Sequence, residues 1–226
     1  MNYLFVVAHP DDEVLGAGAT IFKLIKNGDF VTICMLSGSV SARQKRPLDE
    51  ELACDIDKAL KMIGVSHLIK GDFPNIEFNT VPHLKLVQFV EKAIVDSDAD
   101  IVFTHHPSDL NNDHLHTSLA CQAAVRLFQR NHKINKIREF YFMEISSSTD
   151  WSLNRSLNQF APNTYIQIGV EGLAKKIQAI SQYRNVMREY PHPRSEEAIR
   201  ALAIYRGSQS GLQYAEVFEC VFRNIE

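Results

Sequence analysis

"VVAHPDDEVLGAGATI" occupies residues 6–21, and the reading of this stretch decides the reading of the rest. The run at 3–7, Tyr-Leu-Phe-Val-Val, is short and apolar, as a buried strand is, and residues 14–25 repeat apolar side chains at helical spacing. Between them stand His9, Pro10, Asp11, Asp12 and Glu13. An ordinary strand-to-helix turn needs Gly, Ser or one capping acid. Capping does offer a plain account, with Asp12 as N-cap and Glu13 in the first turn. Three adjacent acids nevertheless repel one another unless a cation lies among them. A histidine and a carboxylate three residues apart can converge on that cation, but they form an incomplete site. Zinc hydrolases use three protein ligands and a water, so a third donor has to come from another strand end.

Outward from this stretch, strand-like and helix-like segments alternate. Strands are predicted at 30–36, 67–70, 101–104, 139–145 and 164–168. Helices are predicted at 13–27, 48–62, 82–95, 113–130, 171–189 and 195–206. This rhythm implies an α/β fold: a Rossmann-like, mostly parallel sheet with helices on both faces, formed by one domain over 1–226. The reactive residues follow strands one after another: His9–Glu13, Ser37–Arg46, Asp72, His105–His114 and Glu144–Ser148. Open α/β sheets bind ligands at those carboxyl ends.

Composition narrows the classes of function. A formal net charge of −3 leaves no basic footprint for a nucleic-acid partner. No apolar stretch approaches the length of a membrane span. The start, MNYLFVVAHPDDE, turns acidic too early for a secretory signal. Cys34, Cys54, Cys121 and Cys220 are scattered without a CxxC pair, which suits buried free thiols in a cytoplasmic protein. GAGAT at 16–20 is a poor dinucleotide fingerprint, because its third glycine is missing and acids stand where pyrophosphate would sit. Small residues there suit close packing of a helix on the sheet.

The third donor is sought in "THHPSDLNNDHLHT", residues 104–117, which offers His105, His106, His114 and His116. His114 stands beside Asp113 at a predicted helix start. There Asp113 could orient the ring or cap the helix. Near the other end, "YPHPRSEEAI" holds His192 between two prolines, followed by Arg194 and a predicted N-cap, Ser195. The basic run Arg43, Lys45 and Arg46 is placed to bind an anionic substrate. His67, His83 and His132 have no comparable setting.

Taken together, these segments resemble the PIG-L/LmbE-like family of zinc-dependent N-acetylglucosamine deacetylases. AHPDDE at 8–13 is the hallmark, and HPSDLNNDH at 106–114 is similar to the second motif. DFPN at 72–75, FMEISSSTDW at 142–151, PHPRSEEAI and AEVF resemble a bacterial branch linked to surface-polysaccharide sugars. The resemblance implies His9, Asp12 and His114 as ligands of Zn²⁺ or another divalent ion such as Fe²⁺, with Asp11 as general base. Many relatives carry an oxyanion-stabilising histidine where this chain has Asn111, which leaves the role to Asn111 or His192. Arg43, Arg46 and Arg194 join Asn111 as candidates for substrate binding. The implied substrate is an N-acetylated amino sugar, free or linked to a nucleotide or lipid, and a homo-oligomer is compatible with this reading. The competing reading is a sugar- or nucleotide-binding protein that keeps the fold without hydrolysis.

Overall fold

A computed structural model describes residues 1–42, 46–132, 134–152 and 159–225. In chain order the elements are β1 (Asn2–Val7), α1 (Asp12–Lys26), β2 (Phe30–Met35), α2 (Asp49–Met62), β3 (His67–Lys70), α3 (His83–Ser97) and β4 (Ile101–His105). There follow α4 (Asn112–Ala124), β5 (Glu139–Met143), β6 (Thr164–Gln167), α5 (Gly169–Ile180), α6 (Glu196–Ser208) and β7 (Ala215–Arg223). The strands form one sheet in the order β3-β2-β1-β4-β5-β7-β6. β1 to β5 run parallel, while β7 is antiparallel to both β5 and β6. The fold is therefore the α/β, mostly parallel sheet that the alternation implies.

Period-two alternation divides each central strand between two cores. Leu4 and Val6 face α3 and α4 in one cluster, with Leu86, Val90 and Ala120. Phe5 and Val7 face α1, α2 and α5 in the other, with Val14, Ile56 and Leu173. Phe103 bridges the strands within that second core, stacking on Phe5 at 4.6 Å and on Tyr141 at 4.7 Å. The glycine of α1 nearest the sheet has a packing role: a Cβ on Gly16 would stand 2.6 Å from Ile145 Cδ1. That close approach accounts for GAGAT better than a nucleotide does.

Three boundaries differ from the sequence reading. The strand β7 was not anticipated, because Glu216 and Glu219 break up its apolar run. The helix expected at 113–130 stops at Ala124, before a short 3₁₀ turn at Leu127–Gln129. The helix expected at 171–189 stops at Ile180, where Tyr183 N–H bonds Ile180 O and Asn185 takes a positive φ of 60°. All four thiols are free; Cys34 and Cys121 are buried as expected, whereas Cys54 is exposed. Among the described residues, no helix is long and apolar enough to cross a membrane.

Candidate metal centre and its cavity

β1 has β2 on one side and β4 on the other, so the connections from β1 and β4 leave a crevice at their carboxyl ends. β1 delivers His9 to Asp12, β4 ends in His105, and the first turn of α4 carries His114. Asp11, not Asp12, takes the N-cap position of α1, at φ 103° and ψ −27° and with no side-chain capping bond. A non-glycine residue in that region is strained, and such residues cluster at functional sites.

Asp12 is the hub. Its Oδ2 accepts the His9 N–H at 2.9 Å and lies 3.4 Å from His9 Nδ1 and 3.3 Å from His114 Nε2. Each imidazole turns its other nitrogen to a second carboxylate. His9 Nε2–H donates to Asp113 Oδ2 at 2.8 Å, and His114 Nδ1–H donates to Asp109 Oδ2 at 2.9 Å. Those carboxylates are anchored in turn. Asp113 accepts the N–H groups of Ile76 and Phe78, and Asp109 accepts the Thr149 hydroxyl. Carboxylates of this kind fix which nitrogen of a histidine faces a metal. Here His9 Nδ1, Asp12 Oδ2 and His114 Nε2 are left converging, within 4.8 Å of one another. The buried Nε2 of His114 has no hydrogen-bond partner among the described residues. Two imidazole nitrogens and one carboxylate oxygen, with no other partner for His114 Nε2 among the described residues, fit a divalent ion.

The partners correct one expectation. Asp113 neither orients His114 nor caps α4: it serves His9, and the capping acceptor is Asn111 Oδ1, which takes the Asp113 N–H at 2.9 Å. The residue that orients His114 is Asp109, which reads in the sequence as an ordinary turn acid. His105 stacks on His114 at 3.8 Å, and its Nε2 accepts the Ala8 N–H. His106 packs edge-on against Phe142 and Phe160, away from the cluster.

Electrostatics repeat the pattern. Burial disfavours charge on His114, but Asp12 and the hydrogen bond to Asp109 outweigh it and raise its pKa to about 10. Burial likewise opposes ionisation of Asp12, and the His114 charge overrides it, holding the carboxyl well below its ordinary value. His105, desolvated and beside His114, is pushed well below the usual histidine range and stays neutral. In the metal-free protein a proton on His114 supplies the positive charge that Asp12 and Asp109 demand.

Asp11 is held from two sides. Its N–H donates to Glu13 Oε2 at 3.1 Å, and Glu13 Oε1 accepts the buried Tyr183 hydroxyl at 2.5 Å. Burial raises the Glu13 pKa to about 8 despite that hydroxyl. Arg194 places Nη1 at 3.5 Å from Asp11 Oδ2 and donates from Nε to Ser147 Oγ at 2.7 Å. A cavity of about 550 Å³ opens over the cluster, lined by Asp11, Asp12, His114, Asn111, Trp151 and Arg194 among others. Of the other predicted site residues, His192 is not among those lining this cavity. Its Nδ1 accepts the Arg194 N–H, and its ring meets Trp151 at 5.3 Å. Arg46 is exposed and off the lining, and Arg43 lies outside the described residues. Ser195 caps α6 as expected, accepting the Ala198 N–H. The Glu13–Tyr183 contact was not anticipated, since Tyr183 fell inside an expected helix.

Residues 4–125, just over half of the chain, match the family model of PIG-L, GlcNAc-PI de-N-acetylase. The chain belongs to the PIG-L family. Diacetylchitobiose deacetylase of Thermococcus kodakarensis is 22% identical over 232 residues, covering 94% of this chain and 80% of that relative. YaiS of Escherichia coli K12, an uncharacterized deacetylase, is 30% identical over 132 residues, covering 54% of this chain and 67% of the relative. The solved structure of the conserved protein TT1542 from Thermus thermophilus superposes with a TM-score of 0.80 at 23% identity. It covers all of this chain and 97% of its own. That structural likeness carries the fold alone, because one fold hosts many chemistries.

Proposed function

We propose that this PIG-L protein is a metal-dependent hydrolase that removes the N-acetyl group from an N-acetylated amino sugar and releases acetate. The observation that carries the reading is the convergence of His9 Nδ1, Asp12 Oδ2 and the orphaned His114 Nε2, with Asp11 beside them in one cavity. Those three atoms would hold the ion, zinc by the chemistry of the set. When bound, it supplies Lewis-acid polarisation of the amide carbonyl and acidifies water. Asp11 is not needed as a ligand, so its carboxylate takes the proton of the attacking water and returns it to the leaving nitrogen. Arg194 beside it keeps that carboxylate oriented. Of the two donors considered for the oxyanion, Asn111 lines the cavity. Its cap uses Oδ1, which leaves Nδ2 without a bond among the described residues. The deacetylase names of two relatives support the same reaction class.

The test combines elemental analysis of the purified protein with acetate release from N-acetylglucosamine, N,N'-diacetylchitobiose and UDP-N-acetylglucosamine. One equivalent of divalent metal, lost in His114→Ala, and acetate release from at least one sugar are expected. Bound sugar without acetate from any of them would overturn the reading in favour of a binding protein.

A further inference from the structure

Part of the cavity lining comes from residues that the proposed hydrolysis does not fully use: Ser147, Ser148 and Trp151 after β5, with Arg194 beside them. Trp151, the only tryptophan of the chain, lines the cavity while 40% exposed. Its indole is supported rather than loose. The His192 ring meets it in a T-shaped contact at 5.3 Å and 69°. His192 is itself pinned by the Arg194 N–H on its Nδ1 at 3.0 Å, and Arg194 reaches both Ser147 and Asp11. A half-exposed indole fixed edge-on by a second ring, at the mouth of a polar cavity, presents a flat apolar surface at low entropic cost.

The remaining chemistry of the mouth says what would lie on that surface. Asn75, Asn111 and Asn112 offer neutral amides, and Ser147 and Ser148 offer hydroxyls. Among the described lining residues Arg194 is the one arginine or lysine, and it is already paired with Asp11. Phosphate recognition calls for Arg or Lys forks free to bond the anion. The described wall instead suits a ring with one apolar C–H face and a hydroxylated edge.

Resting on the deacetylase reading, we propose that Trp151 is the specificity-determining platform for a neutral saccharide, its pyranose face stacked on the indole. His192 is the positioning residue that holds the platform. The described lining thus favours an uncharged glycan over a nucleotide-linked sugar.

The lone tryptophan makes the test direct, because emission excited beyond the tyrosine absorption reports on Trp151 alone. Titrating metal-loaded Asp11→Asn protein with N,N'-diacetylchitobiose should give a saturable change in emission, and UDP-N-acetylglucosamine should bind more weakly. In the active enzyme, Trp151→Ala should raise KM for the disaccharide by about tenfold with kcat little changed, the signature of lost uniform binding. Trp151→Phe should recover most of the affinity, which separates lost stacking from misfolding. His192→Ala should shift the emission of the free protein and raise KM in the same direction. A KM unchanged in Trp151→Ala, a fall confined to kcat, or binding of the UDP sugar as tight as that of the disaccharide would each overturn the proposal. Emission that responds to the disaccharide while no sugar yields acetate would leave the platform standing and remove the hydrolase reading instead.

Discussion

Two groups of buried charge lie along α1, less than three turns apart. At its start are Asp11, Asp12 and Glu13, with His9 and His114 against them. At its middle, where Ala17 leaves helical geometry at φ −147° and ψ 16°, are Lys176 from α5 and Glu216 from β7. Lys176 Nζ donates to Glu216 at 2.6 Å and to Leu15 O at 2.7 Å, and Glu216 accepts the Ala19 and Thr20 N–H groups. Leu15 and Ala19 are the carbonyl and amide that a regular helix joins, so the ion pair attends both sides of the break. That group is balanced in sign, and both carboxylate oxygens have donors. The group at the helix start has an excess of acid, an orphaned His114 Nε2 and a strained Asp11. Buried charge that is fully matched holds a structure together; buried charge left with unused bonding capacity points to a ligand.

The sharpest way to break this contrast is at Asp11. Asp11→Asn is nearly isosteric but cannot take a proton, so acetate release should fall by roughly 10²–10⁴-fold with metal content and melting temperature preserved. Activity within a few-fold of the parent would move the base elsewhere. The matching change in the structural group is Lys176→Met, which leaves Glu216 buried without its partner. Chemical denaturation should show a loss of about 3–5 kcal/mol, the usual cost of removing one member of a buried pair. Adding Glu216→Leu should restore only part of it, because Ala19 and Thr20 then lose their acceptor. In this case the folded enzyme should keep its kcat.

A smaller loss is expected at the neutral donor. Asn111→Ser keeps a capping acceptor for the Asp113 N–H but removes the Nδ2 group. If Asn111 serves the oxyanion, kcat should drop by the equivalent of about 2.7–4 kcal/mol while KM moves little. His192→Ala should show the opposite split, in KM. A larger kcat loss for His192→Ala would return the oxyanion role to that histidine.

What the sequence made legible follows from contiguity. AHPDDE states three functions within six residues, and its position after a strand reveals where the sheet opens. The carboxylates that orient the histidines are dispersed. Asp109 meets a ring five residues on, and Asp113 serves a histidine 104 residues away. Neither spacing has a period to detect. β7 was hidden by Glu216 and Glu219, and the purpose of Glu216, capping a broken helix and pairing with a buried lysine, exists only in three dimensions. Trp151 carried no signal beyond its lying in a familiar-looking segment.

Protonation distinguishes the two groups more gently. In the metal-free protein His114 has a folded pKa of about 10, against an ordinary value of 6.5. A histidine raised in this way stabilises the folded state fully below pH 6.5, and the contribution is lost as pH rises toward 10. The melting temperature of the metal-free protein should therefore decline from neutral to alkaline pH, and that of metal-free His114→Ala should decline less. Metal must displace the His114 proton, so binding at neutral pH should release it, as calorimetry in buffers of different ionisation enthalpy would show.

The smallest expected effect lies at Tyr183, two bonds removed from the chemistry. Its hydroxyl holds Glu13, and Glu13 holds the Asp11 N–H in the left-handed turn. Glu13 is desolvated, with its pKa raised to about 8, so near neutrality it is largely protonated and each of its oxygens still has a neighbour to bond. Removing one neutral hydrogen bond costs about 0.5–1.5 kcal/mol, so Tyr183→Phe should lower kcat by no more than about tenfold. Glu13→Gln should do the same or less, since a glutamine carbonyl can still accept the Asp11 N–H. Glu13→Ala removes that acceptor and should cost more than either. If Tyr183→Phe changed stability but left kcat at the parent value, Tyr183 would belong with Lys176 and Glu216, among the groups that only hold α1 in place. A fall in kcat at constant metal content would place it on the catalytic side, as the far end of the clamp that keeps Asp11 strained.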